Sequence, residues 1–254
     1  MEEHFRRLYE LVSYLRSEKG CPWDRVQTLE TIKPHLIEEI YEVSEAIDEG
    51  DIPKLREELG DILFLILFSC RIAEEEGKFS VADVLTSTHD KMKSRHPHVF
   101  KKQQDLDPHQ VVDEWQRAKR DERKKKTGSV LGGLPRTLPA LLRAQRIQER
   151  AASLGFDWED IKDVFEKLRE EIGEFEEAWQ NAERDRIVDE LGDILFSIVN
   201  LARFLKIDAE DALRRTSDKF CRRFEKVENA ISKQGKMTLE EMDKIWEKSK
   251  ESEP

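Results

Sequence analysis

The sequence predicts an all-α fold built as two tandem helical-bundle repeats. Three observations carry this. Apolar residues recur at helical spacing along nearly every segment, and no stretch alternates as a strand would. Residues 38–64 return as residues 170–196 at a constant offset (170 − 38 = 132), with the closing heptapeptide Glu-Leu-Gly-Asp-Ile-Leu-Phe identical in both copies. The chain of 254 residues also has room for two such domains.

The first helix is expected over residues 3–19, with Phe5, Leu8, Leu11, Val12 and Leu15 on one stripe, and Gly20 ends it before a turn at Cys21-Pro22-Trp23-Asp24. Pro34 sits near the start of the next helix, where a missing N–H costs little; its buried face is read as Leu36, Ile40, Val43 and Ile47, and Gly50 stops it. Asp51 caps a third helix that runs to about Gly77 and is apolar nearly all round from Ile62 to Phe68, so it belongs in the middle of a bundle. Ser80 caps a fourth, reaching about Arg95; His96-Pro97-His98-Val99-Phe100 breaks it, and a last helix from Pro108 to about Lys125 completes the repeat. Residues 121–139 hold three glycines, two prolines and a basic run, and read as a linker between a first repeat at 1–120 and a second at 140–254. The second repeat retraces the first with helices expected at 140–153, 159–181, 184–206, Asp208 to about Lys233, and after Thr238.

Net charge of −11 argues against a general nucleic-acid binder, which needs a basic face. Cys21, Cys70 and Cys221 have neither zinc spacing nor a disulfide pattern, which suits a reducing compartment. The amphipathic start, MEEHFRRLYE, has no signal-peptide core, and the run Ile62 to Phe68 is far too short to cross a bilayer. A cytoplasmic protein with no membrane or nucleic-acid partner is expected.

The chemistry lies in the duplicated acids. In the helix around 160–180 the stripe Ile161, Val164, Leu168, Ile172, Phe175, Trp179 is read as buried; at 100° per residue Glu171 borders it, Glu174 lies one step further round on the same side, and Glu170 faces away. On the partner helix Glu190 and Asp193 flank the stripe Leu191, Ile194, Ile198, Ala202. Glu171, Glu174, Glu190 and Asp193 are therefore expected to line one crevice, as are Glu39, Glu42, Glu58 and Asp61 in the first repeat. Four carboxylates packed together are costly unless cations neutralise them, and all-oxygen ligation selects Mg²⁺, Mn²⁺ or Ca²⁺ over zinc. A di-iron bundle would place histidine at the i+3 positions, which here hold Glu42, Asp61, Glu174 and Asp193. Ordinary solvated surface acids are the competing reading, and the exact duplication weighs against it. Gly60 and Gly192, each between two acids inside a helix, point to close approach by a second helix or a ligand, since such a glycine costs about 1 kcal/mol against alanine.

A second set of residues suits an anion. Lys219 and Arg223 stand four apart, matched by Lys91 and Arg95; Trp246 and Lys250 stand four apart, matched by Trp115 and Lys119; Arg186 precedes Glu190 by one turn as Lys54 precedes Glu58. Singly these are ordinary salt-bridge partners or core residues. Together they offer cations for phosphates and an aromatic plane for a base. No Walker-type glycine loop is present.

The pattern EExxE, a gap, then ExxD, flanked by GCPWDxxQT at 20–28 and RHPHVF at 95–100, resembles the MazG family of nucleoside triphosphate pyrophosphohydrolases in its tandem-domain form, over almost the whole chain. The resemblance implies an all-α fold, Mg²⁺ dependence, a homodimer, and cleavage of NTPs (with dNTPs expected too) to NMP and pyrophosphate. It implies metal ligands at Glu171, Glu174, Glu190 and Asp193, with Glu39, Glu42, Glu58 and Asp61 at matching places. The nucleotide contacts it carries over are Lys167, Arg186, Lys219, Arg223, Trp246 and Lys250. His35 stands where Lys167 stands in the second repeat, and the second repeat is expected to be the active one. The mechanism this implies is in-line attack on the α-phosphorus by a metal-bound water, with Lys and Arg stabilising the leaving pyrophosphate and Glu170 or Glu171 accepting the proton. The alternative is a non-catalytic helical nucleotide-binding or regulatory module.

Overall fold

The computed structural model describes residues 1–101 and 106–251. These residues are helical with no strand, and the chain divides into two compact units, Met1–Asp107 and Pro108–Pro254.

The first unit holds α1 (Glu2–Leu15), α2 (Pro22–Arg25), α3 (Leu29–Glu49), α4 (Ile52–Glu75), α5 (Val81–Arg95) and α6 (Pro97–Phe100). Local chemistry sets the boundaries. Thr28 and Thr31 cap α3 reciprocally, and Ser80 and Asp83 do the same for α5. Gly50 takes φ +68, the left-handed conformation in which glycine lets a helix end, and Asp51 accepts the Lys54 N–H at 3.0 Å to begin α4 at once. A connection this short folds α3 and α4 back against each other and brings their acidic segments side by side. α1 and α3 both pack on α4, and Val12 of α1, Ile32 of α3 and Leu65, Leu67, Phe68 and Ile72 of α4 form the core among them. Arg16 closes that core. Its guanidinium lies over the Phe68 ring at 5.1 Å, pairs with Glu75 at 2.8 Å and donates to the carbonyls of Asp24 and Gln27.

The second unit holds α7 (Pro108–Thr127), α8 (Ala140–Ala152), α9 (Ile161–Gln180), α10 (Arg184–Phe204), α11 (Ala209–Gln234) and α12 (Leu239–Glu251). Residues 121–127, read from sequence as the start of the linker, continue α7, and that helix falls in this unit. α9 and α10 form the counterpart of α3 and α4, α8 packs on α10, and α11 carries α12. The turn between α9 and α10 places Ala182 at φ +55, at the offset where the first unit has Gly50. The buried set here is more polar: Val164, Ala178, Val199, Ala209 and Val227 share it with Gln145, Gln148, Glu171 and Ser197. Gln145 Oε1 accepts from the Ala209 N–H at 3.2 Å, and Glu210 accepts from the Leu142 N–H at 3.2 Å, so both helix starts are satisfied by side chains from neighbouring helices.

One expectation is corrected. Ile40, Ile47, Ile172, Trp179, Leu191 and Ile198, read as facing the core, are exposed. Each paired helix carries apolar residues on more than one face, and packing within the unit covers only one of them. Gly60 and Gly192 are not approached by another helix of their own unit, because a Cβ built on either meets nothing within 4 Å. No helix among the described residues is long and apolar enough to cross a membrane, and the three cysteines are unbridged.

Candidate active site

In the second unit Glu171, Glu174 and Glu190 converge, each with a carboxylate oxygen within 4.8 Å of the others. Glu171 is buried, and Lys167, one turn earlier on α9, reaches it at 2.9 Å and Glu170 at 3.0 Å. Arg186 braces Glu190 at 3.3 Å. Burial first, then the neighbouring Glu190 and Glu171, raises the Glu174 carboxyl above its usual range, while hydrogen bonds to Glu171 and Glu170 raise the Lys167 ammonium. Asp193 stands outside the triad and instead joins Lys167 and Glu171 on the wall of a cavity of about 610 Å³.

In the first unit the converging oxygens are those of Glu39, Glu58 and Asp61. Glu42 is the fourth member, close enough to Glu39 for a side-chain hydrogen bond. Burial, then Glu42, Asp61 and Glu58, raises the Glu39 carboxyl, and burial with Glu42 leading its acidic neighbours raises Glu58. Glu39 Oε2 is buried with no hydrogen-bond partner. The bracing differs from the second unit: Lys54 turns to Glu45 at 2.6 Å and Glu49 at 3.6 Å, and His35 reaches only Glu38, at 3.7 Å.

Both clusters offer oxygens alone, held close enough to repel, and one of those oxygens is buried without a donor. A hard divalent cation fits that donor set.

The remaining nucleotide-contact candidates lie on α11 and α12. Arg223 stands over the Trp246 ring at 6.0 Å, and Phe220 packs on the same ring at 4.9 Å. Lys219 is exposed and Lys250 pairs with Glu247. None of Lys219, Arg223, Trp246 and Lys250 lines the cavity beside Glu171. In the matching set, Lys119 covers the Trp115 ring at 3.7 Å on α7, and Lys91 and Arg95 lie in the C-terminal part of α5.

The cavity brings forward residues that motif reading missed: Gln148 on α8, Asn200 and Arg203 on α10, and Phe156, Asp157 and Trp158 between α8 and α9. Arg203 pairs with Asp157 through its two terminal guanidinium nitrogens, and its Nε donates to Asn200 Oδ1 at 3.0 Å. A signal was available in the repeat. At the 132-residue offset Leu65 becomes Ser197 and Phe68 becomes Asn200, two polar residues where the first unit packs its core.

Comparison with known proteins agrees with this arrangement. The MazG nucleotide pyrophosphohydrolase domain matches the chain twice, at residues 27–100 and 159–228. A Thermotoga maritima protein, nucleoside triphosphate pyrophosphohydrolase/pyrophosphatase MazG, is 44% identical over 250 residues, covering 97% of this chain and 95% of that one. The nucleoside triphosphate pyrophosphohydrolase of Escherichia coli K12 is 43% identical over 255 residues, covering 97% of each. A Mycobacterium tuberculosis protein of the same description is 33% identical over 152 residues, covering 59% of this chain and 46% of its own length. With both acidic clusters inside the matched segments, the chain belongs to the MazG family of nucleoside triphosphate pyrophosphohydrolases, and carries the family's domain in tandem.

Proposed function

We propose that the second unit carries the pyrophosphohydrolase reaction, NTP to NMP and pyrophosphate, with Mg²⁺ held by Glu171, Glu174 and Glu190 and with Asp193 facing the same substrate. The observation that carries this reading is the open cavity joined to the acid triad through Glu171, Lys167 and Asp193. When bound, the cation supplies Lewis-acid polarisation of a phosphoryl oxygen and an activated water. The chain supplies the rest. Glu171 and Glu190 are held in place by Lys167 and Arg186, and the same two cations would meet phosphate oxygens brought to the triad. Their positive charge would stabilise the pyrophosphate as it leaves. Lys167 pairs with both Glu170 and Glu171, but Glu170 is exposed and outside the triad, so Glu171 is the better placed of the two to accept the water's proton.

We further read the first unit as a metal-binding but non-catalytic partner, because Lys54 and His35 are directed away from its acids. A homodimer accounts for the exposed apolar faces of α3, α4, α9 and α10, whose burial is favourable at about 25 cal/mol per Å². Of the expected site residues, Lys219, Arg223, Trp246 and Lys250 would then act from α11 and α12 on a nucleotide whose phosphates rest at the triad.

The test is product identity. Each NTP and dNTP is incubated with the protein and Mg²⁺, and the products are separated. NMP and pyrophosphate are expected; NDP and orthophosphate as first products would overturn the reading. Gel-filtration mass of about twice the 29.9 kDa chain is expected for the dimer.

A further inference from the structure

Gln148 is 7% exposed, and its two amide ends have different fates. Nε2 donates to the Phe196 carbonyl at 2.8 Å, which fixes the amide; Oε1 is buried with no hydrogen-bond partner. A buried acceptor left without a donor costs as much as a lost hydrogen bond or more, so a residue kept in this state is waiting for a donor that the chain does not supply. Gln148 lines the 610 Å³ cavity, whose walls are otherwise apolar at Ile147, Ala151, Phe156, Trp158 and Phe196. Asn200, on the same cavity, is oriented too. Its Oδ1 accepts from Arg203 Nε at 3.0 Å and Nη2 at 2.8 Å, which leaves the amide N–H₂ as the end that can donate. Arg203 is in turn held by Asp157.

An acceptor and a donor on one cavity, among apolar and aromatic side chains, suit a nucleobase edge, where an N–H stands next to a ring nitrogen or carbonyl oxygen. Glu171, Lys167 and Asp193 line the same cavity as the two amides, so an object anchored at the acids by its phosphates would extend its other end into the space that the amides border. In the first unit the same position is packed rather than left open. Phe68 stands where Asn200 stands, is 1% exposed, and is covered by Arg16.

We propose that this cavity is the nucleoside subsite of the second unit, and that Gln148 and Asn200 read the base, Gln148 Oε1 accepting an N–H of the base and Asn200 Nδ2 donating to its neighbouring acceptor. The proposal rests on the second unit's being the catalytic one. It adds which residues set base preference, and it places the base against α8 and α10.

The experiment pairs a substrate change with a residue change on the full-length protein. Each natural nucleotide is compared with an analogue lacking the N–H: purine riboside triphosphate for ATP, zebularine triphosphate for CTP, N3-methyluridine triphosphate for UTP, N1-methylguanosine triphosphate for GTP. For the nucleotide with the lowest KM, the analogue is expected to raise KM roughly tenfold or more in the unaltered protein, as a site built to accept a hydrogen bond rejects a ligand that cannot give one. Gln148→Leu is expected to raise KM for the natural nucleotide by a similar factor, with kcat changed less than about threefold, and to leave the analogue's KM unmoved. Asn200→Phe, which installs the side chain found at position 68, should abolish binding of the corresponding nucleoside monophosphate by calorimetry. Equal KM for nucleotide and analogue, or a nucleotide-to-analogue ratio that survives Gln148→Leu, overturns the proposal. If no NTP yields pyrophosphate, the catalytic reading fails instead, and the calorimetric arm still decides the subsite through the ratio of Kd values.

Discussion

The two repeats place the same acids at the same spacing and then diverge in what surrounds them. In the first, α1 packs an apolar core on α4, and Arg16 seals Phe68 beneath it. In the second, α8 presents Gln148 and Ala151 to α10, and a cavity remains. The acids differ in company too. Arg186 and Lys167 brace Glu190 and Glu171, whereas Lys54 is committed to Glu45 and Glu49. The acids are kept in both copies, and what packs beside them is not.

The comparison is broken most directly through the acids. Glu174→Ala is expected to lower pyrophosphate release by about 100-fold or more, the scale on which losing an electrostatic group at a transition state is felt, while Glu42→Ala leaves it within a few-fold. The reverse order of effects in a steady-state assay would assign catalysis to the first unit. The next effect is on stability. Phe68→Ala should cost about 3–5 kcal/mol in the first unit's unfolding transition, because it empties a fully packed site. Asn200→Ala, at the same offset, borders an existing cavity and should cost well under half of that, as read from paired denaturant titrations.

A pH series without metal sharpens the contrast because the two carboxyls titrate with opposite sign. Burial pushes Glu75 up, but the Arg16 and Arg71 guanidiniums prevail and hold it below the ordinary range. Its contribution is therefore present above the unfolded value near 4.5 and is lost as pH falls through the folded value. Glu174 is raised, so the folded state binds its proton more tightly, and stability is lost as pH climbs from the unfolded value through the folded one. In EDTA, Glu75→Gln should lower Tm at pH 7 and have little effect at the acid end. Glu174→Gln should raise Tm at pH 7, and added Mg²⁺ should raise Tm of the parent but not of that variant. A Glu174→Gln protein less stable than its parent at pH 7 would contradict the repulsion described. The smallest expected effect lies in the turns: Ala182→Gly, matching Gly50, should stabilise by about 0.5–1 kcal/mol, since Ala182 sits at φ +55.

The helices were legible because their punctuation is local. Asp51, Ser80 and Gly50 act within one turn of their own positions, so these boundaries read from sequence survive folding, and Thr28 and Asp208 cap α3 and α11 in the same local way. The acid clusters were legible because duplication marks them. Their fourth member was less so: Asp193 lines the cavity rather than joining the triad, and Asp61 joins where Glu42 lies alongside, differences set by side-chain packing. Periodicity also misjudged Ile172 and Trp179, since an apolar stripe tells that a face will be covered but not by what. Gln148 and Asn200 belong to no motif, and their meaning appears only when α8 lies on α10.

The glycines at 60 and 192 open onto space in which a methyl group would meet nothing, inside helices that alanine would favour by about 1 kcal/mol. Neither helix needs its glycine to fold. Alanine there is then a probe that strengthens the isolated subunit, and any loss of assembly or of triphosphate affinity it causes would measure how closely an outside body rides along that bare stretch of backbone.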